Sequence, residues 1–134
     1  MEKEFVPYEL AVKLKELGFD NIECLGAYSD CNKKLEIHEW ICHGIHYTLA
    51  PLWQQAFDWF RVMCLLNTNI NPDQWNDGLW QYEIRSVDKK IVLDPICDPK
   101  HWIRNGCFKT YEQARYACLE KLIELIQNKN DRSI

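Results

Sequence analysis

The segment Pro51 to Cys64, PLWQQAFDWFRVMC, constrains the fold of this chain more than any other part of the sequence. It is the densest run of large apolar side chains, and proline suits the first position of a helix, where its missing N–H costs nothing. So broad an apolar arc predicts a central helix laid across a sheet. At helical spacing the arc comprises two adjacent rows: Leu52, Ala56, Trp59 and Met63, then Trp53, Phe57, Phe60 and Cys64.

The length of the chain favours one globular domain. A chain of 134 residues can bury a core without disulfides or metal. We predict a single domain over residues 1–128 and a frayed C-terminal tail over residues 129–134.

The charge of the chain argues against non-specific binding to nucleic acid. The net charge is −4, so the chain lacks the positive surplus that neutralises phosphates or anionic membrane. We therefore expect neither non-specific nucleic-acid binding nor membrane association. The overall charge is still compatible with a local basic patch.

The sequence also indicates a cytoplasmic protein. No apolar segment approaches the length of a membrane span, and the first seven residues lack a basic-then-apolar signal pattern. Seven cysteines, an odd number scattered along the chain, fit reduced and mostly buried thiols better than a disulfide framework.

Two further helices are predicted at the ends of the chain. Glu4 to Leu17 has leucines at helical spacing, and Gly18 follows as a C-terminal cap that lets Phe19 fold back on Leu14. The last helix begins at Thr110, where Thr-x-x-Gln has the spacing of a capping box. Its predicted core stripe is Ala114, Cys118, Leu122 and Leu125, widened by Ala117 and Ile126.

Period-2 alternation predicts an antiparallel hairpin near the N-terminus. Its strands are Ile22–Ser29 and Leu35–Ile41, joined by the turn cluster 29–32. Gly26 weakens the first strand and is typical of a bulge. Residues 42–50 are expected to be a connector into the central helix.

A second pair of strands is predicted after the central helix. The polar segment 66–78 is expected to be a loop, Leu79–Val87 a strong strand and Ile91–Leu93 a short return strand. The order α-β-β-α-β-β-α predicts an α+β fold, in which a small, mainly antiparallel sheet packs against helices.

Three segments of the chain resemble a family of small uncharacterised proteins of Bacteroidota and of their phages and prophages. They are FVPYELA through LGFD at residues 5–20, APLWQQAFDWFR at residues 50–61, and YEQA at residues 111–114. The resemblance implies no activity, cofactor or residue role. It implies a small accessory protein of a mobile element, of the kind that binds or inhibits other proteins.

One His/Cys cluster has the residue types of a zinc site. His38, Cys42, His43 and His46 lie within nine residues, and imidazole and thiolate are the usual zinc ligands. However, strand alternation sends His38 and Cys42 to one face and His43 to the other, and no paired Cys-x2-Cys knuckle is present. The favoured interpretation is an exposed strand and turn without metal.

The chain contains little else that indicates catalysis. Cys97 and His101 could approach as a nucleophile and its base, but a structured loop anchored by Trp102 is the favoured interpretation. No glycine-rich phosphate loop or nucleophile elbow is present. We therefore lean towards a non-enzymatic protein without a cofactor.

The surplus of aromatic residues is the more informative feature. Periodicity does not assign all of Trp40, Trp75, Trp102 and Tyr47 to the core, and exposed Trp and Tyr are favoured at binding surfaces. The alternative is that these rings cap the edge of a small core. Loops held by a rigid scaffold concentrate binding residues. The candidate binding residues are Trp40, Tyr47, Trp75, His43 and His46. They come from the segments that flank the central helix and from the second strand.

Three hypotheses of function follow. The first is a non-enzymatic accessory protein that binds another protein, in one form inhibiting a host or defence protein. The second is a small-ligand binder, for example of a nucleotide, with aromatic stacking platforms and cations on the phosphates. The third is an enzyme with a Cys/His or metal centre. For the second hypothesis, the cations that could share one sheet edge are Lys33, Lys34, Lys89, Lys90 and Arg85. The alternative is that the lysines are solvated turn residues that protect sheet edges.

Overall fold

The computed structural model describes residues 2–20, 24–37, 47–87, 93 and 102–132. Within these ranges, three α-helices and six β-strands follow the order α-β-β-β-α-β-β-β-α, after a short 3-10 turn at Glu2–Glu4. The α+β class is confirmed, and the strands form two antiparallel three-stranded sheets. The chain divides into two units, Met1–Trp59 and Phe60–Ile134. The single-domain organisation stays a prediction.

The first helix of unit one, α1 (Tyr8–Glu16), begins four residues later than predicted, after Pro7 in extended conformation. The predicted C-terminal cap of this helix is confirmed. Gly18 has φ 97°, its N–H donates to the Lys15 carbonyl at 3.1 Å, and the Phe19 N–H donates to the Leu14 carbonyl at 3.0 Å. These are the two bonds of a Schellman motif.

The sheet of unit one contains the predicted hairpin and one further strand. β1 (Gly26–Ser29) pairs with β2 (Leu35–Ile37) and, on its other side, with β3 (Tyr47–Ala50). The expected connector is therefore a strand from Tyr47 onward, because pairing with β1 gives its backbone groups partners. The predicted strand residues 22–23 and 38–41 lie outside the described part of the chain.

Gly26 has a packing role and not the predicted bulge. It pairs in regular register with Ile37 and Ala50. A Cβ at this position would lie 2.9 Å from Cε1 of the Phe5 ring, which is buried against it. A ring at this distance leaves no room for a side chain.

The central helix, α2 (Trp53–Met63), begins two residues after Pro51, so proline is not at its first position. Gln55 caps it, since its Oε1 accepts the Leu52 N–H at 2.9 Å. The buried side chains are Trp53, Ala56 and Phe60, with Phe60 fully buried. Met63 is 66% exposed and Leu52 36% exposed, so the first predicted apolar row is wrong at both of its ends. The division between the two units falls inside this helix.

Unit two contains a second sheet in the order β4-β5-β6, with strands Leu66–Pro72, Trp80–Ser86 and Trp102–Phe108. The β5 prediction is confirmed, whereas β4 lies in a segment expected to be a loop. Helix α3 (Tyr111–Arg132) packs on all three strands. It is helical to Arg132, where a frayed tail was expected from residue 129.

The cap and the core face of α3 follow the predicted signals closely. The Thr110 Oγ1 accepts the Gln113 N–H at 3.1 Å, and the Gln113 Oε1 accepts the N–H of Lys109 at 3.1 Å. The buried face lies slightly to one side of the predicted stripe, since Leu125, Ala117 and Ile126 are only half-buried. The buried residues are Ala114, Cys118, Leu119, Leu122 and Ile123.

Two chemical expectations can be compared with the described residues. Cys24, Cys31, Cys64, Cys107 and Cys118 are all free thiols. Among the helices in the described ranges, none has the length and apolar character needed to cross a membrane.

Candidate functional site: the Trp75 loop and the sheet beside it

The loop from Asp73 to Leu79, which we call the Trp75 loop, joins β4 to β5. The pairing between the two strands ends with Pro72 and Trp80. In the next position the Asp73 N–H donates to the Leu79 carbonyl at 2.8 Å. Gly78 has φ 78°, a conformation that glycine adopts without steric cost. The hairpin therefore fixes both ends of the loop.

The carboxylate of Asp73 organises the inside of this loop. Its Oδ1 accepts the Trp75 N–H at 2.9 Å, an Asx turn, and its Oδ2 accepts the Cys107 N–H from β6 at 3.1 Å. The Asn76 Nδ2 lies 3.4 Å from the same Oδ2. Asp73 itself is only 8% exposed. One buried side chain thus ties the loop to a strand that is distant in sequence.

The shape of β6 makes room for this carboxylate. Trp80 pairs with Phe108 and Tyr82 with Asn105, so Gly106 and Cys107 together lie opposite Gln81 in a β-bulge. Cys107 has φ 69°, and a Cβ on Gly106 would lie 2.5 Å from Asp73 Oδ2. The bulge and the glycine allow the Asp73 carboxylate to reach the backbone of β6.

The same hydrogen bonds change the pKa of the Asp73 carboxyl. The N–H of Trp75, and then those of Cys107 and Asn76 with the Asn76 side chain, hold the pKa of the carboxyl below its usual value, although burial acts in the opposite direction. Donors that favour the carboxylate stabilise its charged form. The anchor is therefore charged at neutral pH.

The side chain of Trp75 contrasts with its fixed backbone. The residue is 80% exposed, the most exposed of the large apolar residues that the structure describes. The sequence left open whether this ring was core or surface, and its exposure shows that it lies on the surface. A large ring held on a fixed loop is a suitable anchor for a binding partner.

A second feature lies on the same sheet. It occupies the face opposite to the one that carries the buried Ile84 side chain. Cross-strand register gives two rows, Asn67–Arg85–Trp102 and Asn69–Glu83–Arg104, which we call the two-row face. Arg85 Cζ lies 3.9 Å from the centroid of the Trp102 ring. A shallow hollow of about 150 Å³ is lined by Asn67, Thr68, Asn69, Glu83 and Arg85.

Charge on the two-row face is partly paired. Arg104 Nη2 lies 2.9 Å from Glu83 Oε1, and the Glu83 side chain is 17% exposed. The face carries two arginines and one glutamate in a chain of net charge −4. It is therefore locally more positive than the chain as a whole.

The predicted binding residues have different outcomes. Trp75 is exposed in unit two, whereas Tyr47 is half-buried in β3 of unit one, where its carbonyl accepts from Lys15 Nζ at 3.3 Å. Trp40, His43 and His46 lie outside the described residues. Binding by any of the five stays a prediction.

The proposed cationic edge is not found as predicted. Lys33 and Lys34 belong to the β1–β2 turn of the first sheet, whereas Arg85 lies on β5, the central strand of the second. These residues cannot share one sheet edge because they belong to different sheets. Lys89 and Lys90 lie outside the described residues.

The candidate catalytic and metal residues are mostly beyond the described ranges. His38, Cys42, His43, His46, Cys97 and His101 all fall there. Within the part of the chain that the structure describes, no group of three or more His, Cys, Asp or Glu side chains is arranged to hold a metal ion.

Sequence reasoning missed two parts of the site. Asp73 lies in the segment 66–78, which the sequence predicts only as a loop, and its bond to Cys107 joins residues too far apart for any local pattern to indicate. The pairing of Arg85 with Trp102 depends on β6, which was not predicted. The alternation of asparagines in Leu-Asn-Thr-Asn-Ile-Asn at 66–71 could have indicated β4 and its polar face.

Comparison with known proteins identifies no matching family model, no similar curated protein and no similar solved structure. The sites proposed below are therefore argued from the geometry of the chain itself.

Proposed function

We propose that this chain is a small binding protein that contacts another protein through the Trp75 loop. The observation that carries the proposal is the combination of an 80% exposed tryptophan with a backbone tied down by the buried Asp73. An anchor whose backbone is already fixed loses little backbone entropy on binding. Tryptophan is also among the residues that contribute most at interfaces.

The resemblance to phage and prophage proteins directs the choice of partner. A mobile-element accessory protein acts in the cell of its host, so a bacterial host or defence protein is the first class of partner to test. Inhibition of that partner is the form of the function that we propose.

The test is capture from a Bacteroidota lysate with three baits: the wild type, Trp75→Ala and Val62→Ala. Val62 is the matched control because it is an apolar side chain of the same unit, 64% exposed, that lies outside the loop. We expect one protein to be retained by the wild type and by Val62→Ala, and lost with Trp75→Ala. Direct titration of that purified protein would then give its affinity.

Two results would count against this function. One is a set of captured proteins that is identical for all three baits. The other is recovery of nothing above background by the wild type.

A second candidate function is binding of a small ligand. The stacking of Arg85 on Trp102, next to a polar hollow, favours it. A thermal-shift screen against small metabolites tests it, because a ligand that binds only the folded state raises the melting temperature. A screen with no ligand that raises this temperature would contradict it.

A further inference from the structure

We propose that the two-row face binds a nucleobase, carried by a free nucleoside or mononucleotide, in the hollow between Asn67, Asn69 and Arg85. This inference rests on the second candidate function and names its ligand class. It is independent of the Trp75 loop. The three arguments for it concern a flat cation, the hydrogen-bonding groups and the size of the hollow.

The flat cation is the guanidinium of Arg85. With Cζ 3.9 Å from the Trp102 ring centroid, the indole covers one side of the guanidinium and restricts its motion. Arg85 lines the hollow and Trp102 does not, so the ring and the hollow lie on different sides of the Arg85 side chain. Guanidinium planes stack on bases, and a guanidinium held by an aromatic ring is already positioned to do so.

The hydrogen-bonding groups of the hollow are mixed. Asn67 and Asn69 are exposed, and each carboxamide offers two donors and one acceptor. Glu83 adds acceptor oxygens. The edge of a base likewise carries both donors and acceptors. A simple anion offers only acceptors, so the carboxamide oxygens and the Glu83 carboxylate would oppose it.

The size of the hollow limits what enters it. At about 150 Å³ it is smaller than the pockets of roughly 300–1,000 Å³ that hold drug-sized ligands. It therefore holds one ring system, and the sugar and phosphate remain outside. The net charge of −4 further disfavours a long polyanion, and a free nucleoside or mononucleotide fits better than a nucleic-acid strand.

The experiment is a titration of the full chain monitored by NMR of its amide groups. These spectra include the side-chain NH₂ signals of Asn67 and Asn69. The ligands are the four ribonucleoside monophosphates, with ribose 5-phosphate and inorganic phosphate as probes that lack a base. The variants are Arg85→Lys, which keeps the charge and removes the plane, and Asn69→Ala. Trp75→Ala serves as the control at the other site, and a thermal melt of each variant checks its fold.

We expect at least one nucleotide to shift both asparagine signals with an affinity that depends on the base. We expect no shift with ribose 5-phosphate or phosphate. Arg85→Lys and Asn69→Ala should each weaken binding by roughly tenfold or more, while Trp75→Ala binds as the wild type does. Because Asn69 is exposed, its substitution preserves the fold even if Arg85→Lys does not.

Several results would overturn the inference. Equal shifts with phosphate or ribose 5-phosphate would identify an anion site and leave the small-ligand function standing. The absence of a shift with any nucleotide, unchanged affinity in folded Asn69→Ala, or binding of a short oligonucleotide where no mononucleotide binds would each contradict a nucleobase site. None of these results bears on protein binding through Trp75.

Discussion

Phe60 and Trp75 are two large rings of the same unit with opposite environments. Phe60 lies on α2 and is fully buried, whereas Trp75 lies on the loop between β4 and β5 and is 80% exposed. The loop keeps its shape through Asp73, whose carboxylate binds backbone N–H groups of the loop and of β6. The Trp75 ring itself has no part in those bonds.

This contrast separates the aromatic surplus into two roles. A buried ring such as Phe60 stabilises the fold through the apolar area it removes from water. An exposed ring on a backbone fixed by other groups can be removed without loss of the fold. Substitutions at the two positions should therefore act on different quantities, stability in one case and binding in the other.

The largest expected effect is that of Phe60→Ala. Loss of a fully buried aromatic ring costs about 3–5 kcal/mol, which is a large part of a typical free energy of unfolding. Chemical denaturation measures it. Trp59→Ala is the matched control: Trp59 is only half-buried, with an edge contact to Phe19 at 5.8 Å between centroids, and should cost less. Equal losses for the two variants would contradict this assignment of the core.

A smaller loss is expected for Gly106→Ala, which tests the attachment of the loop to β6. The added Cβ would lie 2.5 Å from the Asp73 carboxylate, and overpacking of this kind costs about 1–3 kcal/mol. The double variant with Asp73→Ala provides the control, because the clash disappears with the carboxylate. Gly106→Ala should then destabilise much less in that background than in the wild type. Additive losses would show that the two groups do not meet.

The third effect depends on pH and concerns Asp73 alone. Its pKa is lowered from the ordinary value of 3.8, so the folded state binds this proton less readily than the unfolded chain. The resulting stabilisation is present above pH 3.8 and is lost as the pH falls through the lower pKa of the folded state. The difference in free energy of unfolding between wild type and Asp73→Asn should be greatest near neutral pH and shrink in acid. A difference that is constant with pH would exclude a carboxylate anchor.

The parts of the fold that sequence predicted correctly are encoded by neighbouring residues. Gly18 closes α1 and Thr110 caps α3 because each motif needs only a few consecutive positions. The alternation in Trp80–Ser86 likewise predicts β5 without knowledge of its partners. Local signals of this kind require no tertiary information.

The parts that sequence missed depend on pairing between distant segments. β4 contains three asparagines and a proline, residues that favour turns, and it is a strand because it pairs with β5 in unbroken register. β6 contains Gly106 and a residue with positive φ, Cys107, and its bulge gives the Asp73 carboxylate access to the β6 backbone. These long-range bonds hold the loop that carries Trp75, so the sequence could identify the ring as a candidate but could not show where it lies.

The most direct test of the central claim is a paired measurement on Trp75→Ala: its affinity for the captured partner and its denaturation midpoint. The account predicts that the dissociation constant rises by about fivefold or more, the equivalent of about 1 kcal/mol, with a midpoint equal to that of the wild type. Val62→Ala should change neither quantity. A sharply lowered midpoint with unchanged affinity per folded molecule would show that Trp75 serves the fold and would contradict the account.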